Sequence, residues 1–349
     1  MRRASRGPGS VNRPAIPFQG GEDRPYVWAM VTGDALEGTH DHSTTEPAVR
    51  EILGSLRLPS TGLHWIESYS HSAWMTDEVV VRYRIIGPTG RLTHEAAVAA
   101  CLPAGALYPE VIASGCSDRD DWLVTARVPG VSLLEAWPGM SRPERELATH
   151  ELAMAVKALH GAPAQHLRPP CLFRGAPVVP RSTFIETLKT LVMRAAGGRD
   201  DADVSARVFE LLDEHEPLIN DVPNVMAHHD LNFGQCIWRD GHLVGLVDLE
   251  MSHANTADWD LPVLLGMCAE PRHGASTALE PALDVEDFVD VPRWFRDAYP
   301  APFTQPSLIR RLRIYELIYR LASFTDTPDP ARMLDVLEHG TRYEHLVPA

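Results

Sequence analysis

Apolar side chains at Val49, Ile52, Leu53 and Leu56 recur at the spacing of one helix face before Pro59 ends the run, which predicts a helix from Glu46 to Leu58. The period then changes. Between Leu63 and Val128 short β-branched and aromatic runs dominate, among them Val79-Val80-Val81-Arg82-Tyr83-Arg84 and the run from Asp121 to Val128 that stops at Pro129-Gly130. One helix interrupts this strand-rich stretch, starting at Glu95 and running through Leu102. Beyond Gly130 helical spacing takes over. Ser141 with Glu144 makes a capping-box pattern opening a helix that reaches Leu159-His160, and further helices are predicted over Ser182–Ala195, Ala202–His215, Ser307–Phe324 and Ala331–His345. Two short strands, Cys236–Trp238 and Leu243–Val247, break the series, and the Asp240-Gly241 pair between them is a hairpin signal. Strands first and helices afterwards is an α+β arrangement. At 349 residues the chain can bury a large core in two lobes, drawn at 25–128 and 129–349, behind a tail of 1–24 whose Arg, Gly and Pro content predicts disorder.

The most informative stretch surrounds the two short strands. His228-His229-Asp230-Leu231-Asn232-Phe233-Gly234-Gln235 is a polar loop with one carboxylate, and the apolar run from Leu243 to Val247 closes on Asp248-Leu249-Glu250. Phosphoryl transfer from a nucleotide to a hydroxyl needs an acceptor for the hydroxyl proton, and Asp230 is the candidate catalytic base. It also needs Mg2+, a hard cation that takes oxygen ligands and keeps several waters, and Asp248 with the Gln235 amide is a sufficient protein share of its shell. Taken alone, Asp248 is an ordinary strand-end turn residue and His-x-Asp a common chance pattern. Their combination with Ala257-Asp258-Trp259-Asp260-Leu261 downstream gives them weight.

The N-terminal half offers the rest of a nucleotide site. Strand alternation puts Arg82 and Arg84 on one face, so either can reach phosphate. Glu95 follows at helix spacing to pair with that Arg, or stands as a first-turn acid favoured by the helix dipole. Ser68 to Met75 is the candidate phosphate loop, with Ser70, His71 and Ser72 as donors, or else a serine-rich hairpin. The break after Val128 predicts an interlobe hinge whose backbone near Thr125, Arg127 and Val128 meets the nucleotide base.

At these residues the chain resembles the aminoglycoside phosphotransferase family, small-molecule kinases distantly similar to protein kinases, whose loop reads roughly His-Gly-Asp-Leu, a short variable stretch, then Asn. The resemblance spans roughly Leu63 to Phe324. It implies a protein-kinase-like two-lobed fold, with an antiparallel-sheet N-lobe and a mainly helical C-lobe, and a small hydroxylated acceptor phosphorylated from ATP or GTP with Mg2+. It selects Arg82 for the family's β-strand cation with Glu95 as its orienter, gives Asp260 a structural role as acceptor of backbone hydrogen bonds, and makes His228 a loop organiser. Two positions depart from the pattern. His229 stands in place of Gly, beside the catalytic loop where it can alter the backbone angle, and Gln235 stands in place of Asn, with Asn232 as a substitute ligand. The implied acceptors run from aminoglycoside-like and other antibiotics to amino alcohols and sugars. A catalytically impaired pseudokinase is the reading from a different class.

Composition trims these options. A net charge of −15, from 47 acids against 32 Lys and Arg, argues against general nucleic-acid or anionic-membrane binding and suits a cationic substrate. Glu270, Glu280, Asp284, Glu286, Asp287 and Glu316 are candidates to meet substrate amines, or are solvated charges. The lysines are Lys157 and Lys189 alone, both in helical patterns, so an arginine must stand in for a β-strand lysine. Five cysteines without a Cys-x-x-Cys pair indicate a reduced, cytoplasmic chain without structural zinc, and the His40/His42 and His228/His229 pairs lack metal-motif spacing. No apolar run is long enough to span a bilayer.

Overall fold

A computed structural model describes residues 42–66, 71–84, 90–118, 120–163, 166–171, 178–196, 202–220, 222–273, 275–322 and 329–348. The predicted 1–24 tail lies outside them, as do Ser68 and Ser70 of the proposed phosphate loop. Helix α1, His42–Ser55, begins earlier than its apolar spacing predicts and lays Val49 and Leu53 on one face of an antiparallel sheet. The strands are β1 (His64–Ile66), β2 (Ser72–Met75), β3 (Val79–Arg84), β4 (Val111–Cys116) and β5 (Asp121–Ala126), in the spatial order β1-β2-β3-β5-β4, with helix α2 (Arg91–Ala99) between β3 and β4 in the chain. Val79, Val81 and Tyr83 pack with α1. Alternation therefore sends Val80, Arg82 and Arg84 to the opposite face, where α2 sits.

Helix α2 starts four residues before the predicted Glu95. Its N-cap, Gly90, has a φ of 94° and no capping side chain. The cap comes from β5 instead: the Asp121 carboxylate accepts from the Leu92 N–H at 2.8 Å, the Thr93 N–H at 3.1 Å and the Thr93 hydroxyl at 2.8 Å. A cap supplied from another strand leaves no local signal in the helix's own sequence.

After β5 the chain turns at Gly130, where a Cβ would fall 2.7 Å from both the Ile237 side chain and the Trp238 carbonyl oxygen. Strand β6 (Val131–Ser132) then crosses to a second small sheet, and helices α3 (Leu133–Ala136), α4 (Arg142–His160), α5 (Phe184–Ala196) and α6 (Ala202–Asn220) follow. The capping-box residues of α4 meet as expected, the Glu144 carboxylate accepting from both the N–H and the hydroxyl of Ser141 at 2.7 Å. Helix α6 continues past the predicted His215 and through Pro217, because its apolar face, ending at Ile219, is buried against α5 and the last two helices of the chain. Next come β7 (Val225–Ala227), β8 (Cys236–Arg239), β9 (His242–Leu246), β10 (His253–Asn255), α7 (Leu261–Ala269), α8 (Val291–Ala298), α9 (Leu308–Ala322) and α10 (Pro330–His339). The β8–β9 turn has φ of 52° at Asp240 and 82° at Gly241, the paired positive values of a tight hairpin. Helix α10 ends at His339 rather than His345, since Gly340 leaves the helix at a φ of 101°.

Helix α7 has no hydrophobic period because Leu261 through Cys268 are all buried. It runs between two cores. One joins α4, the β8–β9 hairpin and α8 around Trp137, Phe233 and Phe288, whose rings lie 4.6 to 5.9 Å apart. The other joins α5, α6, α9 and α10 around Phe184, Trp259 and Tyr315. Among the described residues no helix is long and apolar enough to cross a membrane.

Candidate active site

The Asp230 loop hangs between β7 and β8 and is fixed from three directions. Beneath it, the Asp260 carboxylate accepts from the N–H of His228 at 2.9 Å and of His229 at 2.8 Å, and His160 holds the same carboxylate at 3.0 Å. Leu231 and Phe233 point inward into the core, so the residues between and around them face the cleft. Asn232 caps the short 3₁₀ turn Phe233–Gln235 by accepting from the Gly234 N–H at 2.8 Å, and its amide donates to the Asp230 carbonyl at 3.1 Å. Asn232 is thus held in the turn by both ends of its amide, and Gln235 is the amide that bridges the two cleft carboxylates.

The histidines organise this loop as neutral groups. His228 Nδ1 accepts from the Asp230 N–H at 3.3 Å, which leaves Nε2–H to donate to the Val247 carbonyl at 3.1 Å. His229 keeps the backbone that a glycine would favour, with a φ of 71°, and its imidazole turns away from the cleft. It stacks on His253 at 3.5 Å, accepts from Trp259 Nε1 at 2.5 Å, and its carbonyl accepts from the Tyr319 hydroxyl at 2.7 Å. The expected change of backbone angle is absent because these contacts hold a conformation that costs a non-glycine residue about 1–2 kcal/mol. Burial keeps the pKa of His229 well below the ordinary histidine value and lowers that of His253 to about 4. Replacing His229 with Gly relieves the strain but leaves Trp259 without its acceptor and opens a cavity. A net loss of about 2 kcal/mol is the expected outcome, read from urea unfolding; a more stable variant would mean the strain dominates.

Asp230, Gln235 and Asp248 converge. Gln235 Nε2 lies 3.2 Å from Asp230 Oδ2 and 3.2 Å from Asp248 Oδ2, bridging the two carboxylates. The other Asp248 oxygen accepts from Arg82 Nη1 at 3.1 Å, and Arg82 Nη2 contacts Glu95. Glu95 is fully buried and also accepts from the Tyr108 hydroxyl at 2.7 Å and the Leu249 N–H at 2.9 Å. One connected line thus runs from α2 through β3 to the Asp230 loop. Burial pushes the Asp230 carboxyl up to about 7, against the Gln235 hydrogen bond that pulls it down. Burial and the neighbouring Glu250 charge raise Asp248 as well, with Arg82 opposing. Burial also works against the charge on Arg82, yet Glu95, Tyr108 and Asp248 raise its pKa above the ordinary value.

The donor set suits Mg2+. Asp248 and Gln235 present oxygens once the amide turns about its last bond, and a hard cation that keeps waters and phosphate oxygens asks no more of the protein. Among the described residues no group of three or more His, Cys, Asp or Glu could hold a metal unaided.

Other sequence-predicted site residues fall in different places. Arg84 shares the cleft face with Arg82, but its Nη2 approaches Glu250 at 3.6 Å rather than Asp248. Ser72 pairs in register with Tyr83 and so faces α1, where its hydroxyl meets Thr45 at 2.8 Å and Trp74 Nε1 at 2.9 Å. It is not a phosphate donor, because β2 alternation turns it away from the cleft. Buried His71, just before β2, lies instead among the charges of Arg82, Glu250, Arg84 and Arg91 on the cleft side. At the hinge, Thr125 is paired with Val80 on one side and Val111 on the other, and the N–H of Arg127 is taken by the Glu78 carbonyl at 2.8 Å. The Arg127 carbonyl and both backbone groups of Val128 make no hydrogen bond among the described residues, which leaves them to offer a base.

Sequence reading missed Tyr108, Arg91, His94, Tyr319 and the pairing of Glu250. Glu250 was visible as the third residue of Asp248-Leu249-Glu250; the others carry no local signal.

Comparisons with known proteins identify the family and the fold. The model of a phosphotransferase enzyme family matches residues 69–302. No curated protein matches the chain. Among solved structures, the fold is similar to ADP-bound aminoglycoside phosphotransferase APH(2'')-Ib, with a TM-score of 0.54 at 14% identity over 84% of this chain and 97% of that one. It is similar to a thermostable mutant of APH(4)-Ia in ternary complex with AMP-PNP and hygromycin B, with a TM-score of 0.53 at 17% identity over 86% and 98%. It is also similar to APH(3'')-Id from Streptomyces rimosus in complex with ADP and streptomycin, with a TM-score of 0.51 at 14% identity over 80% and 99%. At these identities the likeness is one of fold, the two-lobed protein-kinase-like α+β class.

Proposed function

The chain belongs to the phosphotransferase enzyme family, and from that premise we propose that it transfers the terminal phosphoryl group of ATP or GTP to a hydroxyl of a small, cationic, antibiotic-like molecule. The observation that carries this reading is the continuous contact Glu95–Arg82–Asp248–Gln235–Asp230. Asp230 orients the acceptor hydroxyl and takes its proton, and a carboxyl raised to about 7 by burial has the basicity for that task near neutral pH. Arg82, anchored by Glu95, is the phosphate contact. Asp248 and Gln235 would hold Mg2+, which neutralises charge on the phosphate oxygens when bound. His71, beside Arg82 and Glu250, stands at the phosphate end and Val128 at the base end.

The acceptor side rests on charge. Glu270, Glu280 and Asp284 line a cavity of about 570 Å³ together with Arg272 and His273. Its place at the far end of α7 from Asp260 puts it about 13 Å along the helix axis from the loop anchor. Glu270 is itself paired with Arg342, which leaves Glu280 and Asp284 to meet a cation there; of the other acids, Asp287 is paired with Arg145 and Glu316 is buried against Tyr343. Solved structures similar in fold hold hygromycin B or streptomycin with a nucleotide, which is consistent with an acceptor of that kind.

The test is mass spectrometry of aminoglycosides, macrolides, cyclic peptides, amino alcohols and sugars incubated with the protein, Mg2+ and ATP or GTP. A phosphoryl mass gain on an antibiotic supports the reading. Gain confined to amino alcohols or sugars makes it a metabolic kinase, and no gain with no nucleotide binding makes it a pseudokinase.

A further inference from the structure

Glu250 is buried to 1% exposure and lies between two arginines that come from the other side of the cleft. Arg91, at the start of α2, contacts its Oε1, and Arg84, on β3, approaches its Oε2 at 3.6 Å. The pairing repeats with a two-residue step. Asp248 meets Arg82, and Glu250 approaches Arg84, so two acids two residues apart face two arginines two residues apart on β3 in a short ladder.

Around this ladder the whole segment after Asp248 is held by one face of α2. Arg91, His94 and Glu95 stand at helical positions i, i+3 and i+4, which share a face. Glu95 accepts from the Leu249 N–H at 2.9 Å, Arg91 donates to the Met251 sulfur at 3.1 Å, and His94 Nε2 donates to the Ser252 carbonyl at 2.7 Å. Asp248 itself has a φ of 65°, a left-handed backbone that an aspartate holds only when its surroundings impose it.

Resting on the phosphotransferase reading, we infer that Glu250 is a positioning residue that keeps Arg84 and Arg91 from capturing Asp248, and so leaves that carboxylate divided between Arg82 and Gln235 where a divalent cation can be bound. The reasoning is charge balance in a dry site. Three guanidiniums, those of Arg82, Arg84 and Arg91, stand near the cleft against Glu95, Asp248 and Glu250. Without the Glu250 charge, the anions left to Arg84 are Asp121, opposite it on β5 with both oxygens already accepting from Leu92 and Thr93, and Asp248, paired with Arg82 one step along β3. An arginine on Asp248 Oδ2 displaces Gln235 and occupies the face on which the metal would bind.

The experiment titrates Mg2+ against the full-length protein with ADP, followed by calorimetry, for the wild type, Glu250→Gln, Glu250→Gln/Arg84→Met and Glu250→Asp. The expected result is an Mg2+ requirement raised about ten-fold in Glu250→Gln, with metal-free ADP binding unchanged. Removing the freed cation in the double variant brings the requirement back to within about two-fold of the wild type, and Glu250→Asp, which keeps the charge, stays within the same range. A purely structural glutamate would lower Tm without moving the Mg2+ requirement, or would not be rescued by Arg84→Met; either result overturns the inference. Should Glu250→Gln fail to fold, Glu250→Asp decides, since a ten-fold rise despite a retained charge also overturns it. A wild type that binds no ADP with Mg2+ sinks the phosphotransferase reading itself, and this inference with it.

Discussion

Asp230→Asn is expected to lose phosphoryl transfer by about 10²- to 10⁴-fold while binding ADP as the wild type does. The substitution is nearly isosteric, and its amide oxygen can still accept from Gln235, which now holds Asp230 at 3.2 Å. What disappears is the proton acceptor. The same change removes a carboxylate whose direct side-chain partners are the neutral amides of Gln235 and Asn232, in a site where the Glu250 charge also opposes ionisation. The variant should therefore melt at a temperature equal to or above that of the wild type, the usual sign of a group retained for chemistry at some cost to the fold. Steady-state kinetics with the acceptor found by the mass-spectrometric screen, beside thermal shift with ADP, separates the two effects. Undiminished turnover would remove Asp230 from the base role. Lost activity with lost ADP binding would make it a structural residue of the loop.

Arg311→Leu is expected to destabilise the fold by about 3–5 kcal/mol, among the largest effects of any single side chain outside the cleft. Arg311 and Asp258 are both fully buried and meet through two contacts, Nε to Oδ2 at 2.6 Å and Nη2 to Oδ1 at 3.0 Å. Arg311 also donates to the Leu218 carbonyl at the end of α6 and to the Tyr315 hydroxyl, which in turn meets Thr256 at 2.8 Å. Leucine fills much of the volume but strands the Asp258 charge in the core. Asp258 lies in the same 3₁₀ turn as Asp260, so activity should fall together with stability. The double variant Arg311→Leu/Asp258→Asn should recover more than half of the loss, because the cost is that of an unpaired charge rather than of missing packing. Urea unfolding of the wild type, Arg311→Leu, Asp258→Asn and the double variant reads this directly; additive losses would show that the pair is not coupled.

Residues with opposite legibility supply both predictions. Asp230 was visible in the chain as the carboxylate of a polar loop, followed eighteen residues later by Asp248 closing an apolar strand, a pattern that resembles the phosphotransferase family. Local patterning of that kind is written in consecutive residues, as are the β3 alternation that puts Arg82 on the cleft face and the Asp240-Gly241 turn. Arg311 gave no such sign. It looks like a surface arginine of an amphipathic helix, and only the packing of α9 against the 256–260 segment shows that Arg311, Tyr315 and Tyr319 form a stripe reaching from Asp258 to the His229 carbonyl.

By itself the sequence determined what periodicity and short spacing can carry, the strand-rich half, the helical half and the hairpin, and through the family resemblance it offered Asp230, Gln235, Asp248, Arg82 and Glu95 as one candidate set. Tertiary structure alone decided which of several same-face or same-type candidates are used. Asp121 caps α2 from a neighbouring strand, Ser72 is turned to α1, Arg84 goes to Glu250, and Asn232 is held in a turn. His229 keeps a glycine's backbone because Trp259, His253 and Tyr319 converge on it from separate segments. The physical reason is common to all of them. A hydrogen bond or ion pair between segments far apart in the chain is chosen by burial, where an unpaired polar group is costly, and burial is a property of the folded molecule.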